Sequence, residues 1–247
     1  MKKQLLFMMV LICSSLERLF AQEAALAGAR DQLHHEMGGD TNHMILLDRL
    51  EYQGQRGADA TLWDGEAWWG GDLNRLWIKS EGDADDGHVD SAELQALYSR
   101  AISPYFDLQT GVRQDFDKGP SRTDVVLGVQ GLAPQWFELD AATFLSNHGD
   151  LTARLEAEYE LFITQRLILQ PRLELDAAAQ DIPALGIGSG LSSAELGLRL
   201  RYEIRREIAP YVGISWQRDI GETADHTRAA GERVEHTAIV VGVRLWW

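Results

Sequence analysis

From Met44 to the last residue, apolar and polar positions alternate with a period of two, the pattern of β-strands with one face in an apolar medium. The stretch 234–247 shows it most cleanly. Counting back from Trp247, one face carries Leu245, Val243, Val241, Ile239 and Thr237. The other mixes Trp246, Arg244, Gly242, Val240, Ala238 and His236. The ends of soluble domains fray, so a chain that stops on Trp-Trp reads as the closing strand of a transmembrane barrel, where aromatics form the interfacial belt.

Segments of this kind recur at 44–53, 61–69, 73–81, 89–100, 104–117, 123–133, 136–147, 151–164, 167–180, 193–206, 208–219 and 234–247. They predict an all-β fold, a transmembrane antiparallel β-barrel of about twelve strands, an even number as in single-chain bacterial barrels. Short connections are expected after even strands, at Gly70-Gly71-Asp72, 101–103, Pro134-Gln135, Gln165-Arg166 and around Glu207. Longer ones are expected after odd strands, at 54–60, 82–88, 118–122, 181–192 and 220–233, with 147–150 the short exception. Within 151–164, Leu151, Leu155 and Leu161 face outward, and Arg154, Glu156, Glu158, Glu160 and Phe162 inward. Within 193–206 the inward set is Glu195, Arg199, Arg201, Glu203 and Arg205. Pro171 falls inside a strand and is expected to cost one ladder hydrogen bond. The run LTARLEAEYELF also has helix propensity, but helical spacing would put Glu and Leu on one face, whereas period two separates them.

Charge and composition narrow the partners. A net charge of −15 and a pI near 4.8 exclude a basic nucleic-acid-binding surface. Mean hydropathy is −0.23, and no run approaches the roughly 18–20 apolar residues of a membrane helix. Lys2-Lys3 followed by the apolar stretch 5–13 predicts a signal peptide over residues 1–21, with cleavage as late as 27. Residues 22–43 lack strand alternation and read as a periplasmic arm with a short helical tendency, ahead of a barrel over 44–247. The one cysteine, Cys13, lies in the signal, which leaves the rest of the chain without disulfide or thiolate chemistry.

The inward positions predict a charged lumen: Arg75, Lys79, Glu81, Asp107, Arg113, Asp115, Glu138, Asp140, Glu156, Glu158, Glu160, Glu174 and Asp176, with Arg172 beside the glutamate row. Such charges either pair across the sheet to fill the barrel or line an ion path. Ser146, Asn147 and His148 adjoin in sequence, but neighbouring strand residues point to opposite faces, and no enzyme is expected. In the arm, His34, His35, Met37, His43 and Met44 crowd into HHEMGGDTNHM, with Gly38-Gly39 free to fold the backbone. Imidazole and thioether together suit copper, Cu(I) or Cu(II), and Glu36 and Asp40 could assist with the latter.

The runs MILLDRLEYQ and WDGEAWWGGDLNRLWIKSEG resemble the copper resistance protein B family of outer-membrane proteins. So do ISPYFDLQTGVRQDF, GLAPQWFELDAATFLSNHG, QRLILQPRLELDAA, LGLRLRYEI and APYVGISW, in order along the chain. The resemblance implies a copper-binding β-barrel in the Gram-negative outer membrane, both termini periplasmic, contributing to copper resistance. It also implies a copper-binding His/Met segment before the barrel, and a periplasmic multicopper oxidase or copper carrier as partner. Here that segment reduces to His34, His35, Met37, His43 and Met44, without methionine-rich repeats. The alternative expectation is a general small-solute outer-membrane channel with no metal role.

Overall fold

The structure, a computed structural model, describes residues 41–54, 59–85, 88–116 and 121–247. Twelve antiparallel strands follow one another in chain order. They are β1 (Asn42–Gly54), β2 (Asp59–Gly70), β3 (Asn74–Asp85), β4 (His88–Ala101), β5 (Phe106–Asp115) and β6 (Arg122–Ala133). Then come β7 (Phe137–Ser146), β8 (Leu151–Glu158, resumed at Leu161–Phe162), β9 (Leu167–Ala178), β10 (Gly190–Tyr202), β11 (Ile208–Asp219) and β12 (Glu235–Trp246). Each pairs with its sequence neighbour, and β12 pairs with β1, so the sheet closes with no free edge. The seam ends in reciprocal backbone bonds, Ile45 N to Trp247 O at 3.0 Å and Trp247 N to Ile45 O at 2.9 Å. Closure pairs both edges of the sheet, which is what a sheet in lipid requires.

Side-chain alternation sets the two surfaces. Leu94, Tyr98, Val112, Val125, Leu127, Leu196, Leu198, Val212, Ile214, Ile239 and Val241 lie exposed on the outside, a belt too large for an aqueous surface. Inside, Trp77, Leu97, Val126 and Phe144 form a small apolar core against Trp68 and Ala142 along the β2–β7 wall. Elsewhere the buried side chains are largely polar, with Gln95, Ser99, Gln109 and Gln170 among Arg49, Glu51, Asp124, Arg172, Arg199 and Arg201. Among the described residues no helix is long and apolar enough to cross a membrane; the strands cross.

Two local features depart from simple alternation. In β1 the register shifts against both neighbours around Asp48, a bulge that turns two successive residues inward. Asp48 then reaches Arg244 at 2.6 Å, while Arg49 reaches Asp64 at 3.0 Å and Glu81 at 2.7 Å. In β8 the ladder lapses after Glu158, opposite Pro171. Tyr159 N still donates to Pro171 O at 3.2 Å, but proline has no N–H to return, so the expected lost bond is seen as a gap in the strand.

The connections correct part of the expectation. β3 runs on to Asp85 and β4 starts at His88, so 82–88 is mostly hairpin and not a long loop. The polar, glycine-containing residues there continue the backbone ladder, which composition does not reveal. Arg205, expected inward, sits exposed in the turn between β10 and β11. Phe162, also expected inside, pairs with buried Ile168 but is 62% exposed because it lies at the barrel end. The connection 220–234 holds an unexpected helix, α1 (Gly221–Ala229).

Inner packing also depends on one glycine. A Cβ on Gly242 would lie 2.5 Å from Tyr211 Cζ and 2.8 Å from Glu51 Cβ. The space lets Tyr211 Oη donate to Glu51 at 3.0 Å, alongside two bonds from Arg199 at 3.0 and 2.9 Å. Gly242→Ala is therefore expected to lower stability by about 1–3 kcal/mol through overpacking. The refolded barrel's urea midpoint, followed by Trp fluorescence, would fall; an unmoved midpoint would refute this account of the seam.

Candidate functional site

The candidate site is the lumen, and its charges are arranged in layers. Arg172, 4% exposed on β9, gathers Glu156 at 2.7 Å, Glu174 at 2.5 Å, Glu158 at 3.2 Å and Glu195 at 3.6 Å. Arg154 on β8 meets Glu81 at 3.1 Å and Asp176 at 3.2 Å, with Glu93 and Glu174 at 3.5 and 3.7 Å. Arg113 pairs with Asp115, Asp124 and Glu93, its guanidinium 3.8 Å above the Phe144 ring. Lys79 reaches across the bore from β3 to Asp140 on β7 at 2.5 Å. Arginines that each gather several carboxylates, as Arg113, Arg154 and Arg172 do, compensate one another's charges in a confined space.

Two cavities flank this middle layer. The smaller, about 130 Å³, lies toward the barrel end that bears the start of β1 and Trp247. It is lined by Asp48, Glu66, Glu138, Asp140, Glu156, Glu158 and Glu160, with Lys79 and Arg244. In all, ten carboxylates line it against three cationic side chains among the described residues. The Glu66 and Glu138 carboxylates have no hydrogen bond or ion pair among the described residues. The larger cavity, about 590 Å³, lies toward the loop end and is lined by nine carboxylates and three arginines among the described residues. An acid-lined cleft of this kind concentrates cations.

The helix α1 contributes to the walls of the larger cavity through Thr223, His226 and Thr227. It is held by Gly188 N donating to Thr223 Oγ1 at 3.0 Å and Thr227 Oγ1 donating to Asp219 at 2.6 Å. A Cβ on Gly188 would lie 2.3 Å from Glu222 Cβ and 2.7 Å from Thr223 N, so only glycine lets loop and helix meet this closely. Below, Arg122 ties the β7–β8 turn by donating to Asp150. Ser146 Oγ accepts the backbone N–H groups of His148 and Asp150, both at 3.1 Å, so this serine is a turn residue, without a ring of His148 among its partners.

All thirteen lumen residues expected from the sequence face the interior or its ends. Arg75 pairs with Asp107 at 3.7 Å, and Glu160 with Arg201 and Arg244. Arg49, Glu51, Asp64, Glu66, Glu93, Arg122 and Asp124 belong with them and were not expected. Period two placed Asp64 and Glu66 on one face of β2 and could have found them; the bulge hid Arg49 and Glu51. Of the arm residues, His34, His35 and Met37 lie outside the described residues. His43 and Met44 are in β1, paired with Trp69 and Trp68, and as strand neighbours they point to opposite faces. Among the described residues no three His, Cys, Asp or Glu side chains converge in metal-holding geometry.

A closed twelve-stranded barrel with an apolar belt and a charged bore is an outer-membrane β-barrel fold. Its likeness to the NanC porin has a TM-score of 0.54 at 12% identity, covering 83% of this chain and 99% of the porin. Residues 41–247 match the family described as Copper resistance protein B precursor (CopB). Copper resistance protein B of Escherichia coli and its homolog from Pseudomonas syringae pv. tomato are each 44% identical over 206 residues, 83% of this chain and 70% of theirs. The chain belongs to the copper resistance protein B family, and its role is in copper resistance.

The Arg122 hydrogen bond, helped by Gln180 and Ser146, holds the Asp150 carboxyl below the ordinary aspartate range. Its stabilisation is complete above the unfolded pKa of about 4 and is lost as pH falls through the lower folded value. Asp150→Asn should therefore destabilise the barrel at pH 7, and the gap from wild type should close on acidification below that value. A gap that stays constant with pH would exclude the Arg122–Asp150 bond as its source.

Proposed function

We propose that this barrel serves copper resistance by taking copper ions into its acid-lined lumen at the outer membrane, with both chain ends on the periplasmic side. The observation that carries the reading is the smaller cavity, where, among the described residues, ten carboxylates outnumber three cations and Glu66 and Glu138 stand outside the ion pairs. Those acids are spread along the wall and not gathered into a chelating cage. The arrangement favours loose, exchangeable holding of hydrated cations over tight sequestration, and so favours passage or transient binding.

In this reading His34, His35, Met37, His43 and Met44 are the softer ligands that capture copper at the periplasmic mouth and hand it to the lumen. Imidazole and thioether bind copper more tightly than scattered carboxylates do, so capture and storage are separate tasks. The protein acts without catalysis, and a periplasmic multicopper oxidase or copper carrier is the partner that would supply or receive the ion. A second reading, a general small-solute channel, draws on the larger cavity, whose 590 Å³ exceeds what a single ion needs.

Copper titration of the refolded protein with and without residues 22–43 tests the proposal. The expected result is loss of the tight class of binding on truncation, with weaker binding retained by the barrel. Replacing Glu66 and Glu138 by glutamine should then reduce that weaker class by several-fold. No copper binding by either form, together with salt conductance indifferent to copper, would establish the channel reading instead.

A further inference from the structure

The two cavities meet at a single layer. Glu81, Glu93, Phe144 and Arg154 line both of them. Phe144 is 3% exposed and fixed in the apolar core, so it is wall. Glu81 is held from the other side by Arg49, which is 1% exposed and also bound to Asp64. Arg154 alone of the four reaches across the bore, from β8 to Glu81 on β3 and Glu93 on β4.

Its other two partners differ in position. Asp176 and Glu174 are on β9, the strand beside β8, and Asp176 is the direct cross-strand neighbour of Arg154. If the guanidinium leaves Glu81 and Glu93, it keeps these two carboxylates on its own wall and is never stranded as an unpaired charge. Glu81 likewise keeps Arg49. Arg49 and Arg172 have no such freedom, because both are buried among fixed partners.

We propose that Arg154 is a swinging bolt that divides the two chambers and sets their charge selectivity. Across the bore it bars the way and offsets the charge of Glu81 and Glu93. Laid back against β9 it opens the way and leaves Glu81 and Glu93 facing the path, so cations pass and anions do not. The proposal rests on the lumen being a cation path, not on copper being the cargo, and potassium therefore serves as the probe.

The test is conductance and reversal potential of the full-length protein in planar bilayers under a potassium chloride gradient. The variants are Arg154→Ala and Arg154→Lys, each alone and with Gly188→Val, which pushes α1 off its seat in the wall of the larger cavity and so widens that chamber. Arg154→Ala should raise conductance about tenfold or more in the Gly188→Val background, with a cation-selective reversal potential, while Arg154→Lys stays near the parent level. An Arg154→Ala conductance no higher than its parent, or an anion-selective one, would overturn the proposal. Failure of copper to bind, with this pattern intact, would instead count against the copper reading alone.

Discussion

A bore enclosed by twelve strands is wide enough to hold water and narrow enough that charges on opposite walls can touch. Ion pairs across that bore are the interaction on which the rest of the structure depends. Lys79–Asp140 joins β3 to β7, Arg154–Glu81 joins β8 to β3, and Arg199–Glu51 joins β10 to β1. Breaking one partner of a confined pair leaves a charge without compensation, which costs several kcal/mol. The inward positions are therefore constrained together, although their strands lie far apart in sequence.

The same pairing shapes what the lumen can do. Arginines concentrate in the middle layer, where Arg49, Arg154 and Arg172 tie up most of the nearby acids. Carboxylates outnumber cations in both cavity linings among the described residues, so the barrel has two acid-lined chambers that meet at the Arg154 layer. Among the described residues the excess carboxylates form no chelating cluster, an arrangement that attracts cations without trapping them and suits a family whose role is copper resistance. The apolar cluster of Trp77, Leu97, Val126 and Phe144 packs along the β3–β7 wall, and Leu97, Val126 and Phe144 form part of the smaller cavity's lining.

Most of the fold was legible because lipid outside and water inside impose a strict period of two. Leu196, Leu198 and Leu200 against Glu195, Arg199 and Arg201 could be read without a structure, and all lie on the faces expected. The bulge at Asp48 was not legible. Strict alternation from Met44 puts Asp48 and Arg49 on opposite faces, and only the register with β2 and β12 shows both turned inward. Helix α1 was hidden for another reason. Its sequence, GETADHTRA, is polar almost throughout, and only Thr223 and Ala224 are buried, so no amphipathic signal marks it. Which cavity a charge serves depends on contacts across the bore, such as Arg154 to Glu93, that no local pattern encodes.

The most direct test of this account is anomalous diffraction at the copper edge from crystals of the protein soaked in a copper salt. Besides copper held by residues 22–43, the account predicts copper within the barrel, in the acid-lined chambers on either side of the Arg154 layer and, of the sites there, strongest near Glu66 and Glu138. Copper bound only outside the barrel wall, or confined to residues 22–43 with both chambers empty, would contradict it.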